Sequence, residues 1–168
     1  RIQLFGFLAV FIVALALEFV PRLNQRQAFP AVVRLGVPGL LAAGALLSAI
    51  GQVWHEEASA LVLPGAAASV IGATAFAVII WRTRAGTSLA VDPQPLFLRG
   101  ASAWMVVATL ISVTSLLGAE AGVVRLVDSR AATETFLRGF VFSAILGVGI
   151  RAFVGHFGLR QISRLRQL

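Results

Sequence analysis

The stretch ASALVLPGAAASVIGATAFAVIIW, residues 58–81, decides the fold class. It runs for 24 residues without a charged side chain. Crossing the ~30 Å hydrocarbon layer of a bilayer takes roughly 20 apolar residues as α-helix. The stretch lacks the alternation of a membrane barrel strand, and an open sheet would leave backbone groups unpaired in lipid. It therefore reads as a membrane-spanning helix. Within it Gly65, Ser69, Ala73 and Ala77 recur every four residues. Small residues at that spacing let helix backbones approach closely in lipid.

Four more segments of similar character flank it. They are residues 2–20, ended by Pro21; 31–54, opening after Pro30; 97–119; and 135–157. Gly39 and Ala43, and Gly44 and Ser48, repeat the small-residue spacing in the second segment. The expected fold class is an all-α polytopic transmembrane bundle of about five spans, forming one domain over residues 1–168. The connections are short, and none is long enough for a second domain. Arg1 stands at the edge of an apolar run with no initiator Met, so a fragment of a longer chain, or a processed product, is expected. A signal peptide is a weaker reading of the first segment. Ala14-Leu15-Ala16 resembles a cleavage site, but Arg22, Arg26 and Arg34 follow the run while only Arg1 precedes it.

Composition excludes several function classes. Of 168 residues, 58% are hydrophobic before Gly is counted and 12% are charged. Soluble domains reach about 45–50% apolar with Gly included, and ~25% charged. Mean hydropathy is +0.91. A soluble enzyme cannot hide that much apolar surface, and a disordered chain would be polar and highly charged. The absence of Cys excludes disulfides, iron–sulfur clusters and thiolate metal sites. No phosphate-binding loop, dinucleotide fingerprint, nucleophile elbow or zinc-protease motif is present.

The net charge of +7 comes from 14 Arg and no Lys. Nucleic acid is not an expected partner, because the charges lie between the apolar runs. Sorted by connection, Arg1, Arg125, Arg130 and Arg138 fall on one side, and ten Arg fall on the other. The positive-inside rule makes the ten-Arg side cytoplasmic. The N-terminus is then outside, the C-terminus inside, and the expected location a bacterial inner membrane. Trp54, Trp81 and Trp104 are expected near the interfaces, as an aromatic belt.

Two segments echo one another. Leu4-Phe5-Gly6-Phe7 stands against Leu137-Arg138-Gly139-Phe140, and Ile12 against Ile145. Both segments run in the same direction, as one four-helix repeat plus the start of the next requires. Gln3-Leu4-Phe5-Gly6-Phe7, continuing to Phe19-Val20-Pro21-Arg22, resembles a helix of NnrS-type proteins. So does Arg138-Gly139-Phe140-Val141, continuing to Gly149-Ile150-Arg151. That family comprises haem- and copper-containing bacterial membrane proteins linked to nitric oxide stress, similar to the catalytic subunit of haem–copper oxidases. The resemblance covers about forty residues well. It implies haem or copper as cofactor, held by intramembrane His. No His lies mid-segment here, so the metal chemistry is expected to be lost or to sit elsewhere.

Few residues remain as site candidates. His55 falls in a turn and His156 near the inner end of the fifth segment, about 30 Å apart, so they cannot share one iron. His156 is the one metal-ligand candidate, with a membrane partner subunit supplying the rest. Glu18 and Arg151 are ionisable residues within spans, where charge is costly. The echo sets them at one depth, so an intramembrane ion pair is the expectation; the alternative is separate snorkelling to the interface. Snorkelling also accounts for Arg34, Arg99 and Arg138. Ser69, Thr74, Thr109, Ser112 and Thr114 lie within spans, where hydroxyls usually bond to their own helix backbone. Arg160, Arg164 and Arg166 form a basic tail suited to anionic lipid headgroups at roughly 1 kcal/mol each. Met105 is expected as a gap-filler, and Glu56-Glu57 as a solvated turn. Two further functional readings stand beside the resemblance: a transporter or permease component, and a structural or assembly subunit of a membrane complex.

Overall fold

A computed structural model of the chain describes residues 6–23, 27–54, 59–83, 94–120 and 129–156. Of these, 95% are helical, and no strand occurs among them. Helix α1 spans Ala9–Leu23, α2 Ala31–Val53, α3 Val62–Arg82 and α4 Gln94–Glu120. A 3-10 turn, Ser59–Leu61, leads into α3. The fifth rod is composite: α5 over Ser129–Glu134, a π-helical stretch over Thr135–Val141, and α6 over Phe142–His156.

Four stretches are long and apolar enough to cross a membrane: Ala31–Val53, Val62–Arg82, Gln94–Ser115 and Arg130–Ile150. The first expected span contributes the 15 residues of α1, about 22 Å at the helical rise, preceded by a π-helical turn at residues 6–8. The all-α bundle is thus established, with four full-length candidate spans among the described residues; residues 2–5 of the first expected span lie outside them.

The differences at helix ends have local causes. α1 does not stop at Pro21 but carries it to Leu23. Pro21 sits in the last turn, so only the carbonyl of Leu17 loses its helical donor. Pro38 lies inside α2 and frees the carbonyl of Arg34 in the same way. α4 starts three residues earlier than expected and absorbs Pro95, because first-turn amides have no intrahelical acceptor to lose. The fifth rod starts at Ser129, not 135. Its polar opening is held to the apolar part by an ion pair from Arg138 Nε to Glu134 Oε2, at 2.7 Å.

The rods pack in chain order, and α6 closes the ring against α1. The shared core joins Val13 and Leu17 of α1 to Phe76 of α3, Met105 of α4 and Phe140 of the π stretch. Phe76 meets Phe140 edge-on, with ring centroids 6.4 Å apart, and Phe140 leans on Phe136 at 5.2 Å. The outside is equally apolar: Phe7, Val32, Leu35, Leu96, Phe142 and Ile145 are each 60% exposed or more. A soluble protein would not leave so much contiguous apolar surface open to water; a bilayer accepts it.

The tightest seam joins α2 to α3. Gly44 and Ser48 face Ser69 and Gly65 in antiparallel register. A Cβ on Gly44 would lie 2.7 Å from the Ser69 nitrogen and 2.8 Å from the Gly65 oxygen. A Cβ on Gly65 would lie 2.6 Å from the Ser48 nitrogen and 2.9 Å from the Gly44 oxygen. The obstacles are backbone atoms, so neither position can take a side chain unless a helix moves. Gly39 carries the same spacing, yet nothing stands within 4 Å of its Cβ position.

Elsewhere Gly139, inside the π stretch, lies under the indole of Trp104. Trp104 is therefore not at a helix end but ten residues inside α4. Its echo partner Gly6 also sits in a π turn, so both echoing motifs share one backbone irregularity. Replacing Gly65 by Ala should destabilise the fold by about 1–3 kcal/mol through overpacking, read as a lowered thermal unfolding midpoint in detergent. Gly39→Ala and Gly100→Ala, which meet open space inside helices, should instead leave stability unchanged or raise it by up to about 1 kcal/mol.

Candidate functional site

The α2–α3 clasp forms one wall of a cavity of about 160 Å³. The cavity lies between α1, α2, α3 and α4, at the end of the bundle where α2 finishes and α3 begins. It is lined from Val53 at the rim of α2 down to Leu41, about 18 Å along the helix axis. Met105 forms its floor beside Leu41, and both are buried. Most of the lining is apolar, as in small-molecule sites generally. Its polar members are Ser48 and Gln52 of α2, Ser69 of α3, and Thr109 and Ser112 of α4.

The hydrogen bonding of these groups fixes what they offer a ligand. Ser69 Oγ donates to the Gly65 carbonyl at 3.0 Å, and Thr109 Oγ1 to the Met105 carbonyl at 2.8 Å. Gln52 Nε2 donates to the Ser48 carbonyl at 2.9 Å. The hydroxyls of Ser69 and Thr109 have thereby spent their one proton and keep acceptor lone pairs, whereas the Ser48 and Ser112 hydroxyls and the second amide proton of Gln52 keep donor capacity. No charged side chain lines the cavity among the described residues.

The opposite end of the bundle is basic. Glu18 accepts from Arg34 Nη1 at 2.8 Å and also from Arg22 Nη2. The first bond crosses from α1 to α2 and is partly buried; the second stays within one helix turn, and Arg22 is exposed. Glu18 therefore finds its partners in the adjoining hairpin. The side chain of Arg151, its expected partner, lies outside the described residues. The hairpin explains the observed choice: Arg34 is the fourth residue of α2 and returns to the depth of Glu18. The seam between α3 and α4 is also pinned here, by Trp81 Nε1 donating to Ser102 Oγ at 3.2 Å.

The structure brings together Ser69, Thr109 and Ser112, three of the hydroxyls singled out in the sequence, and places Met105 beneath them. Thr114 is exposed and donates to the Ile111 carbonyl. The side chain of His156 lies outside the described residues, as do His55, Glu56, Glu57, Arg160, Arg164 and Arg166. Gln52 was not foreseen. It stands near the end of α2, where a polar residue signals only a helix terminus until packing shows what it faces.

Both His side chains of the chain lie outside the described residues. No group of three His, Cys, Asp or Glu side chains converges among them. The cavity offers hydroxyl and carboxamide oxygens rather than the imidazole or sulfur that copper and haem iron favour.

The clasp at Glu18 should matter through its bond between helices. Glu18→Gln should lower the thermal unfolding midpoint, and Arg22→Gln should lower it clearly less. Equal effects of the two would show that the contact to Arg34 carries no special weight.

Comparison of the chain with protein-family models, with curated proteins and with solved structures returns no match.

Proposed function

We propose that this chain is a transporter or permease component that holds a small solute in the vestibule between its helices. The observation that supports this reading most is the cavity itself. It lies toward one end of the bundle, is lined along about 18 Å of α2, and carries oxygen acceptors from α2, α3 and α4. Hydroxyls confined to helix–helix packing would not need open space beside them. The vestibule lies on the side that the Arg distribution assigns to the exterior, so a solute would enter from outside.

The NnrS-type resemblance is a second proposal. It rests on the motifs around Gly6 and Gly139; that both fall in π-helical turns supports the echo between the two segments. A haem Soret band in protein purified from membranes would support it.

Transport is tested in reconstituted vesicles by light scattering after an osmotic step with urea or glycerol. The vesicles should equilibrate faster than protein-free ones. Ala49→Phe, which fills the vestibule wall, should return the rate to the protein-free value while helicity and melting are retained. Rates equal to those of empty vesicles for every small solute would contradict the reading.

A further inference from the structure

We infer that the vestibule selects small neutral polar solutes, of the size of urea or glycerol, over ions of either sign. The inference rests on reading the cavity as a solute site and adds its chemical class.

Size sets the first limit. A cavity of about 160 Å³ matches the engineered cavity of about 150 Å³ that admits benzene. A ligand of about six heavy atoms fits, whereas drug-sized ligands occupy about 300 Å³ or more.

Hydrogen-bond polarity sets the second. The protons of Ser69 and Thr109 are committed to the carbonyls of Gly65 and Met105, and one amide proton of Gln52 to that of Ser48. What these three side chains offer is chiefly oxygen lone pairs, on three different helices. A solute rich in N–H or O–H groups satisfies them, and its carbon skeleton rests on Leu41, Ala45, Ala66 and Met105.

Charge sets the third. An ion entering the cavity gives up hydration without meeting an opposite charge among the described lining residues, which is strongly unfavourable. An anion meets a few hydroxyl and amide protons but no cationic group among the described lining residues. A metal cation asks for about six or more oxygens in its shell, and the five polar side chains, spread over three helices and none of them anionic, do not supply them. The basic end of the bundle, with Arg22 and Arg34 bonded to Glu18, is at the other end of the helices and does not change this balance.

The chain contains no native Cys, so single cysteines report access directly. Thr109→Cys places a thiol deep in the vestibule and Gln52→Cys places one at the rim. Each is labelled in vesicles with methanethiosulfonate reagents carrying a neutral hydroxyethyl, a cationic trimethylammonium-ethyl or an anionic sulfonatoethyl group. The rim thiol should react with all three at similar rates. The deep thiol should react with the neutral reagent more than about tenfold faster than with either ion, because of the ions' desolvation, and glycerol should slow that reaction. Ser112→Cys serves if the Thr109 variant does not fold. Comparable deep labelling by an ionic reagent would overturn the selectivity. So would a deep thiol that none of the three reaches while the rim thiol reacts. Neutral labelling without solute flux would keep this inference and remove the transport reading.

Discussion

The close approach of α2 to α3 at Gly44, Ser48, Gly65 and Ser69 is the constraint on which the rest of the bundle depends. In lipid the hydrophobic effect does not draw helices together, so association rests on van der Waals contact and polar contacts. Two glycines, each pressed against the backbone of the facing helix, allow that contact to be as intimate as an α-helix permits. The same seam carries Ser48 and Ser69 on its inner edge, where both line the cavity. Packing and site are therefore one feature. The residues that let the helices touch also set where the hydroxyls stand.

The remaining seams hold the opposite side of the ring. Gly139 and Gly147 let the fifth rod lie against Trp104, Phe97 and Leu98 of α4. Glu18 joins α1 to α2 through Arg34, and Trp81 joins α3 to α4 through Ser102. Both polar joints sit at the end where α1 and α3 finish. Toward the other end the clasp forms one wall of the cavity, and space remains between the described parts of the rods.

Much of this was legible in the sequence, and the rest fails for identifiable reasons. Apolar runs of about 20 residues gave the helices, since length and hydropathy alone decide whether a segment can cross a bilayer. Two ends shifted past a proline, because Pro21 and Pro95 fall in terminal turns where their missing amides matter little. The four-residue spacing of small side chains picked out Gly44 with Ser48 and Gly65 with Ser69, but equally Gly39 with Ala43. Spacing fixes a helix face, not which face meets a neighbour; that needs the register between helices. The contact of Glu18 with Arg34 was not legible, because each residue reads alone as a charge near a span end and only the turn of the first hairpin brings the two to one depth. The vestibule was half visible, in the hydroxyls Ser69, Thr109 and Ser112. That they face common space together with Gln52 is a property of packing alone.

The central claim is that α2 and α3 touch backbone to backbone at the two glycines. Nuclear Overhauser measurements on protein with selectively labelled Gly and Ser, in lipid nanodiscs, test it most directly. The account requires strong cross-peaks from the Gly44 α-protons to Ser69 and Gly65, reciprocal ones from Gly65 to Ser48, and none from Gly39 to any other helix. Cross-peaks from Gly44 and Gly65 confined to their own helices would contradict the clasp, and with it the wall of the vestibule.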